Sequence, residues 1–271
     1  PIVFCCYSES QIGNREEFKQ ESRNQAYLWL EVEDVIHRDR KMIPAQVVFL
    51  TNLFNSEFQI RRERISTGAA LGKKGTNRAF DSGLLEAIER DACIYAYLAK
   101  KKIPKIIKFE GEIKKLEEYL LRYNLEPYVF DSTSDLGVPT TIAIVIDRTG
   151  IGPAVEVGSA AAFSYGEAIY KSILEAVQCR RYARLFTDKR FPNGPPKEDE
   201  IFSLDHRFVY WHSLERINDL KFLIESEEEV PYSSLTARVS DREGLIAKLK
   251  SRGFQVFAAD ITLPEISGAG V

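Results

Sequence analysis

A β-branched run near the middle of the chain constrains the fold most strongly. The segment Thr140–Asp147 reads Thr-Thr-Ile-Ala-Ile-Val-Ile-Asp, and a shorter apolar run follows at Ala154–Gly158. A loop that contains two glycines, Asp147–Gly152, joins the two runs, and this arrangement is typical of a β-hairpin. Ser164 and Glu167 then form the Ser-x-x-Glu pattern of a capping box, which predicts the start of a helix.

Other helices and strands are interspersed along the chain. Further strand-like apolar runs are Tyr27–Val32, Ala45–Leu53, Tyr128–Phe130 and Phe254–Ile261. Helical patterns cover residues 79–100, Glu112–Tyr123, the segment from the capping box to about Leu185, and a segment from a second capping box at Ser240–Glu243 to Gly253. Because hairpins and crossover units both occur, the sequence predicts an α+β fold with mixed or antiparallel sheets packed with helices. The 271 residues suit one large domain or two small ones.

Composition excludes several classes of protein. The 37 basic residues are interspersed among 40 acidic ones and the net charge is −3, which argues against nucleic acid as the main partner. No apolar run is long enough to span a bilayer and no signal-peptide pattern is present, so we expect a cytoplasmic protein without a membrane partner. The four cysteines form no C-x-x-C pair and the three histidines are badly spaced for metal binding, so a disulfide scaffold and a zinc or histidine metal site are disfavoured. A Ser-His-Asp hydrolase is disfavoured because no G-x-S-x-G elbow is present.

The helix that contains Ser82–Asp91 carries two separate stripes. At about 100° per residue one arc holds the polar residues Ser82, Glu86, Glu89 and Arg90. A different arc holds the residues expected to face the core, namely Leu84, Leu85, Ile88, Ala92 and Tyr95. Two carboxylates three positions apart repel each other unless a cation lies between them, and Mg2+ prefers carboxylate and phosphate oxygens. Periodicity alone nevertheless favours a solvent-exposed face with a Glu86–Arg90 pair.

A second helix carries a comparable polar stripe. Glu167, Lys171, Glu175, Gln178 and Tyr182 share one side, opposite Ile169 and Ile173. Helical geometry places Arg181 nearer to this stripe than Arg180, and here too an exposed face is the simpler interpretation of the helix alone. The loop at Ser66–Gly72 could offer backbone N–H groups to a phosphate, but it matches no P-loop or dinucleotide-binding pattern.

Taken together and in order, these segments resemble the YcaO family. The matching pieces are Ser66-Thr67-Gly68-Ala69-Ala70, the motif S-x-x-x-E-x-x-E-R-D from Ser82 to Asp91, Gly158-Ser159-Ala160, the motif E-x-x-Q-x-R from Glu175 to Arg180, Asp205-His206 and Asp260-Ile261-Thr262. The resemblance extends from about residue 25 to the end of the chain. It implies one YcaO-like domain over residues 1–271 and an ATP site built without a P-loop. The family's earlier G-K-G segment, first carboxylate helix and C-terminal strands have no counterpart here, which suggests a domain incomplete at both ends.

The resemblance also implies roles for particular residues, with ATP and Mg2+ as cofactors. The implied metal ligands are Glu86, Glu89 and Glu175. The implied ATP-binding residues are Ser66, Thr67, Gly68, Ser82, Arg90, Gln178, Arg180 and Arg181. No enzyme nucleophile is implied beyond this site, which agrees with the absence of a triad.

The implied reaction is phosphorylation of a peptide amide oxygen after a nucleophile adds to the carbonyl. A Cys, Ser or Thr side chain of the substrate would give an azoline, and a sulfide source would give a thioamide. The implied partners are a substrate peptide or protein, with a ubiquitin-activating-like or leader-binding protein in the first case and a TfuA-like protein in the second. A homodimer is compatible with the sequence, which leaves the oligomeric state open. The alternative is a catalytically silent scaffold, favoured by the missing carboxylates and opposed by the retained ones.

Overall fold

A computed structural model describes residues 28–45, 48–49, 78–190, 195–201 and 204–262. The chain divides into two compact units, one formed by residues up to Leu84 and from Ile246 onward, the other by Leu85–Leu245. The expectation of a single domain stays a prediction.

The helices are α1 (Arg78–Leu98), α2 (Gly111–Leu121), α3 (Tyr165–Arg190), α4 (Leu204–Tyr210), α5 (Lys221–Ile224) and α6 (Arg242–Ser251). Short 3-10 turns cover Glu198–Glu200, Leu214–Leu220 and Tyr232–Ser234.

The first unit contains a three-stranded antiparallel sheet. Its strands, in the order β2-β1-β8, are β1 (Trp29–Asp34), β2 (Asp39–Pro44) and β8 (Phe257–Ala258). The turn between β1 and β2 is fixed by Asp34, which is fully buried and accepts hydrogen bonds from the backbone N–H groups of Ile36 and His37 at 3.0 and 3.1 Å. This local turn pairs the two strands as a hairpin.

The second unit is built on a five-stranded sheet. Its order is β6-β5-β4-β3-β7, with strands β3 (Lys105–Ile107), β4 (Leu125–Asp131), β5 (Thr140–Asp147), β6 (Val155–Ala161) and β7 (Glu229–Pro231). All neighbours pair antiparallel except β3 and β7, which are parallel. The α+β fold and the β5–β6 hairpin predicted from the sequence are therefore confirmed.

Both faces of this sheet are covered, which explains why every residue of β5 is buried. One face holds Ile142, Ile144 and Ile146 in a cluster with Ala96 of α1 and Leu220. The other face holds Ala143, which packs with α2 and with Ile169 and Ile173 of α3. A strand covered on both sides needs apolar side chains at successive positions, and the β-branched run supplies them.

Several boundaries differ from the sequence expectations. Leu85, Ile88 and Ala92 are buried as expected. Tyr95, also expected in the core, is 61% exposed and Leu84 is only half-buried, because the buried arc of α1 continues to Ala96 and leaves both residues at its edge. Most of the strand expected at Ala45–Leu53 lies outside the described residues, so it stays a prediction; in the described part, the carbonyl of Ala45 accepts turn hydrogen bonds from the N–H groups of Val48 and Phe49. Strand β2 at Asp39–Pro44 was not expected from the sequence.

The last helix and strand are also displaced. Helix α6 begins at Arg242, and the carboxylate of Asp241, rather than Ser240, accepts the capping hydrogen bond from the Gly244 N–H at 2.7 Å. The strand expected at Phe254–Ile261 is reduced to Phe257–Ala258, because β1 offers it only two paired positions.

Candidate nucleotide and magnesium site

Ser159 of β6 joins two carboxylates that are far apart in sequence. Its hydroxyl donates a hydrogen bond to Oε1 of Glu89 on α1 at 2.5 Å, and its backbone N–H donates one to Oε2 of Glu175 on α3 at 2.7 Å. Two of the three predicted metal ligands are thus gathered around one residue. We call Glu86, Glu89, Ser159 and Glu175 the Ser159 cluster.

A glycine makes this approach of β6 and α3 possible. A side-chain carbon on Gly158 would collide with the backbone carbonyl of Ser172 and the backbone N–H of Ala176, both on α3. Any larger residue would push the strand from the helix, so Gly158 keeps the neighbouring Ser159 N–H within hydrogen-bonding distance of Glu175.

The environment of Glu89 is unusual for a carboxylate. Burial raises its pKa to about 7, with nearby Glu175 and Glu86 contributing in the same direction, while the Ser159 hydrogen bond and Arg90 lower the pKa and offset part of this. Accumulated negative charge in a partly desolvated place disfavours ionisation, and a bound cation would reverse that preference. The electrostatics are those of a site that favours a cation.

The remaining residues of the α1 stripe are more exposed. Arg90 contacts Glu86 at 3.4 Å through Nε and Nη2, with its side chain 47% exposed, so the expected intrahelical pair forms with long hydrogen bonds. Ser82 is also exposed, as are Gln178 and Arg181 on α3.

On α3, Glu167 pairs with Lys171 at 2.6 Å, opposite the fully buried Ile169 and Ile173, as the periodicity predicts. Ser66, Thr67 and Gly68 lie outside the described residues.

Arg180 lies in a different environment from the other predicted ATP-binding residues. Its side chain is only 19% exposed and forms an ion pair with the buried Asp147 at the end of β5. It also donates a hydrogen bond to the carbonyl of Pro153 at 2.6 Å, and it lies so close to Gly152 that a side chain there would collide with it. Within the described part of the chain, Arg180 therefore binds the β5–β6 loop. Its assignment to ATP stays a prediction.

Two acidic residues near Arg180 were missed by sequence reasoning. Asp147 is buried, which by itself raises its pKa, but hydrogen bonds from Thr149 and the charge of Arg180 bring the pKa below its ordinary value. Glu156 on β6 is 5% exposed, and its Oε1 has no hydrogen-bond partner among the described residues. Burial raises the pKa of Glu156 to about 8, opposed by Arg180. We call Asp147, Glu156 and Arg180 the Arg180 cluster. The lone acid within the apolar run Val155–Val157 is the sequence feature that could have identified Glu156.

Two cysteines near these clusters, Cys93 and Cys179, are half-buried, whereas the sequence suggested buried apolar side chains. Burial raises the pKa of Cys93 to about 12 and that of Cys179 to about 11, and neighbouring glutamates contribute in both cases. Thiols that stay protonated at neutral pH are poor nucleophiles and poor metal ligands.

Carboxylate oxygens match the preference of Mg2+, and the charge repulsion around Glu89 fits a site for this ion. Among the described residues no group of three His, Cys, Asp or Glu side chains is arranged to hold a metal ion by itself. Proteins commonly bind Mg2+ through one or two carboxylates, with phosphates and water as the other ligands, and the Glu89–Glu175 pair fits that mode. The assignment of Glu86, Glu89 and Glu175 to the metal stays a prediction.

Comparison with known proteins adds independent information. The family model described as YcaO cyclodehydratase, ATP- and Mg2+-binding, matches residues 2–271. The chain belongs to the YcaO family. Membership confirms the resemblance seen in the motifs, and it agrees with ATP and Mg2+ as the cofactors.

Solved structures support the fold of this YcaO chain. A heterocyclase in complex with substrate and cofactor is 20% identical with a TM-score of 0.73, over 96% of this chain and 36% of that one. The YcaO protein from Methanopyrus kandleri bound with AMPPCP and Mg2+ is 21% identical with a TM-score of 0.67, over 90% and 62%. The E. coli microcin synthetase McbBCD complex with pro-MccB17 bound is 19% identical with a TM-score of 0.61, over 83% and 57%. The chain thus spans less than two thirds of each of these proteins.

Two further comparisons complete the description. A search of curated proteins gives no match. None of the helices in the described part of the YcaO chain has the length and apolar character needed to cross a membrane.

Proposed function

We propose that this chain carries the ATP and Mg2+ site of an enzyme that activates peptide backbone amides by O-phosphorylation. The observation that carries the proposal is the Ser159 cluster, in which two carboxylates from different helices meet at one residue of β6. Family membership supports it, because the family is described as binding both cofactors. The cluster provides what phosphoryl transfer needs from a protein, namely fixed negative ligands for a cation that neutralises phosphate charge.

Each residue has a defined part in this proposal. Glu89 and Glu175, with Glu86 beside them, would hold Mg2+, and Arg90 would contact a phosphate once it is released from its long pair with Glu86. The exposed Ser82, Gln178 and Arg181 would contribute further polar contacts to the nucleotide, as would Ser66, Thr67 and Gly68. When bound, ATP would supply the phosphoryl group that converts the amide oxygen into a leaving group. The protein's own contribution is positioning and electrostatic stabilisation, and it needs no covalent nucleophile.

The neighbouring structures favour an azoline as the product. A heterocyclase with substrate and cofactor and a microcin synthetase complex with pro-MccB17 both share this fold. By analogy, the proposed substrate is a ribosomally made peptide or protein in which a Cys, Ser or Thr side chain adds to the preceding carbonyl. A partner protein that presents the peptide, either leader-binding or ubiquitin-activating-like, belongs to this proposal. Thioamide formation with a TfuA-like partner is the other outcome that the family resemblance implies.

A catalytically silent scaffold is the second candidate, and Arg180 favours it. Its guanidinium is occupied by Asp147 and the Pro153 carbonyl, so one residue of the E-x-x-Q-x-R motif stabilises the β5–β6 loop. An arginine that stabilises a loop is equally useful in a domain that binds a peptide or a partner protein and catalyses no reaction.

Calorimetric titration of the full chain with ATP, with and without Mg2+, distinguishes the two candidates. We expect Mg2+-dependent binding that Glu89→Gln abolishes, because the variant removes the central carboxylate charge. Glu112→Gln is a matched control, since Glu112 is 76% exposed on α2 and, among the described residues, its ion-pair partner is Lys115 on the same helix. Binding that is equal in the wild type, the control and Glu89→Gln would contradict the site. A well-folded wild type that binds no ATP would favour the scaffold.

A further inference from the structure

Ser159 contacts both carboxylates of the proposed site through two different donors. We infer that Ser159 is a positioning residue that sets the orientation of Glu89 and Glu175 for a shared Mg2+, an inference that rests on the proposed function. The hydroxyl holds Glu89 and the backbone N–H holds Glu175. The two bonds belong to one residue, so they fix the two carboxylates relative to each other.

Ser159 hydrogen-bonds one of the two oxygens of each carboxylate. Ser159 binds Oε1 of Glu89 and Oε2 of Glu175, and the other oxygen of each side chain makes no hydrogen bond within the described residues. One oxygen of each glutamate is thus held and the other is available to a cation. Carboxylates that bind metals are commonly oriented in this way by an outer hydrogen-bond donor.

The surroundings leave the hydroxyl of Ser159 as the adjustable part of this arrangement. Gly158 presses β6 against α3, so the Ser159 N–H is fixed in front of Glu175 by the backbone itself. On the other side, among the described residues, Ser159 is the residue whose hydroxyl donates a hydrogen bond to Glu89. Without the Ser159 hydroxyl, Glu89 would lose the hydrogen bond that fixes its orientation, and the charge of Arg90 alone would oppose its repulsion from Glu175.

A pair of substitutions tests the hydroxyl separately from the backbone. Ser159→Ala removes the bond to Glu89 and keeps the N–H bond to Glu175, while Ser159→Thr keeps both donors and suits an edge strand. The dissociation constant of ATP is measured by calorimetry with Mg2+ and again with a chelator. We expect Ser159→Ala to weaken Mg2+-dependent binding about 10- to 100-fold, the usual effect of losing an outer hydrogen bond at a metal site, and Ser159→Thr to restore it. Affinity for ATP without Mg2+ should not change.

Control variants separate the possible outcomes. Ser234→Ala removes an exposed hydroxyl that, within the described part of the chain, donates its hydrogen bond to the Pro231 carbonyl, and the variant should bind Mg2+-ATP like the wild type. If Ser159→Ala also binds like the wild type while Glu89→Gln does not, the inference about Ser159 is overturned and the proposed function stands. If Ser159→Ala loses affinity that Ser159→Thr does not restore, Ser159 has a packing role and the inference is again overturned. If the wild type itself binds no Mg2+-ATP, the proposed function fails and the inference fails with it.

Discussion

Strand β6 contributes to two acidic clusters that differ in how their negative charge is compensated. In the Arg180 cluster the cation is part of the protein, because the guanidinium of Arg180 pairs with Asp147, and Glu156 beside it has its pKa raised to about 8. In the Ser159 cluster Glu89 is held by a hydroxyl and Glu175 by an N–H, and Arg90 contacts Glu86 at 3.4 Å.

This difference in charge compensation suggests that the Arg180 cluster has a structural role and that the Ser159 cluster is a binding site. Where charge is neutralised internally and buried, removal of one partner leaves the other unpaired and should cost stability. Where like charges are gathered and only partly compensated, the fold gains little from them, and their arrangement is more useful to a ligand. The two clusters should therefore respond differently to substitution, in stability on one side and in binding on the other.

The largest effect on stability is expected for Arg180→Gln. The variant leaves Asp147 buried without its charge partner, and breaking a buried pair in this way costs about 3–5 kcal/mol of unfolding free energy. Urea denaturation measures it, with the exposed Arg181→Gln as the matched control. If Arg180→Gln is as stable as Arg181→Gln and loses Mg2+-ATP binding, Arg180 belongs with the nucleotide and the comparison between the clusters breaks down.

A pH-dependent effect, at most of similar size, is expected for Glu156→Gln. With a folded-state pKa of about 8, raised from 4.5, wild-type Glu156 holds its proton in the folded state where the unfolded chain has lost it. Stability from this group is complete below the unfolded pKa and is lost as pH rises through about 8. Glutamine cannot ionise, so the stability of the variant relative to the wild type should increase as pH rises from about 4.5 to about 8, by at most about 1.4 kcal/mol for each pH unit, and should stay constant above pH 8. Parallel stability curves between pH 5 and 9, measured at about one-unit steps, would show that Glu156 does not titrate in this way.

The smallest effect on stability is expected for Glu86→Gln in the Ser159 cluster. Its pair with Arg90 is a partly exposed i,i+4 contact, so the unfolding free energy should change by about 0.5 kcal/mol or less. Mg2+-dependent ATP binding should nevertheless weaken, because one charge of the proposed site is lost. Thermal unfolding and calorimetry on the same sample measure both quantities. Reduced stability with unchanged binding would place Glu86 with the structural residues.

Much of the fold could be predicted from the sequence because it depends on local patterns. The run Thr140–Asp147 becomes β5 with the expected boundaries, and the Ser164 capping box precedes α3, with the Glu167 N–H donating to Ser164 at 3.3 Å. Alternation and capping are properties of neighbouring residues, so they can be identified without a partner segment. The boundaries of β8 and α6 were less accurate, because β8 depends on its pairing with β1 and α6 is capped by Asp241 rather than Ser240.

The candidate site is only partly a property of the sequence. Motif order was enough to single out Glu86, Glu89, Arg90 and Glu175 and to indicate the family that the comparison confirms. Periodicity by itself could say only that these residues share polar stripes, for which solvent exposure was the simpler interpretation. Periodicity could not predict that the two stripes lie next to each other, because 86 positions separate Glu89 from Glu175 in the chain.

What the sequence determined by itself is thus the long helices, the β5–β6 hairpin, the polar stripes and the family, all of which depend on short-range order. The short elements β2, β3, β7, α4 and α5 were not predicted. The tertiary structure decided that the polar stripes of α1 and α3 lie close together at Ser159. The approach of β6 to α3 at Gly158 brings the Ser159 N–H to Glu175, and the packing of α1 on the same sheet brings Glu89 to the Ser159 hydroxyl. The same packing assigned Arg180 to Asp147 and buried Glu156, because burial and charge pairing depend on contacts between segments that no local pattern records.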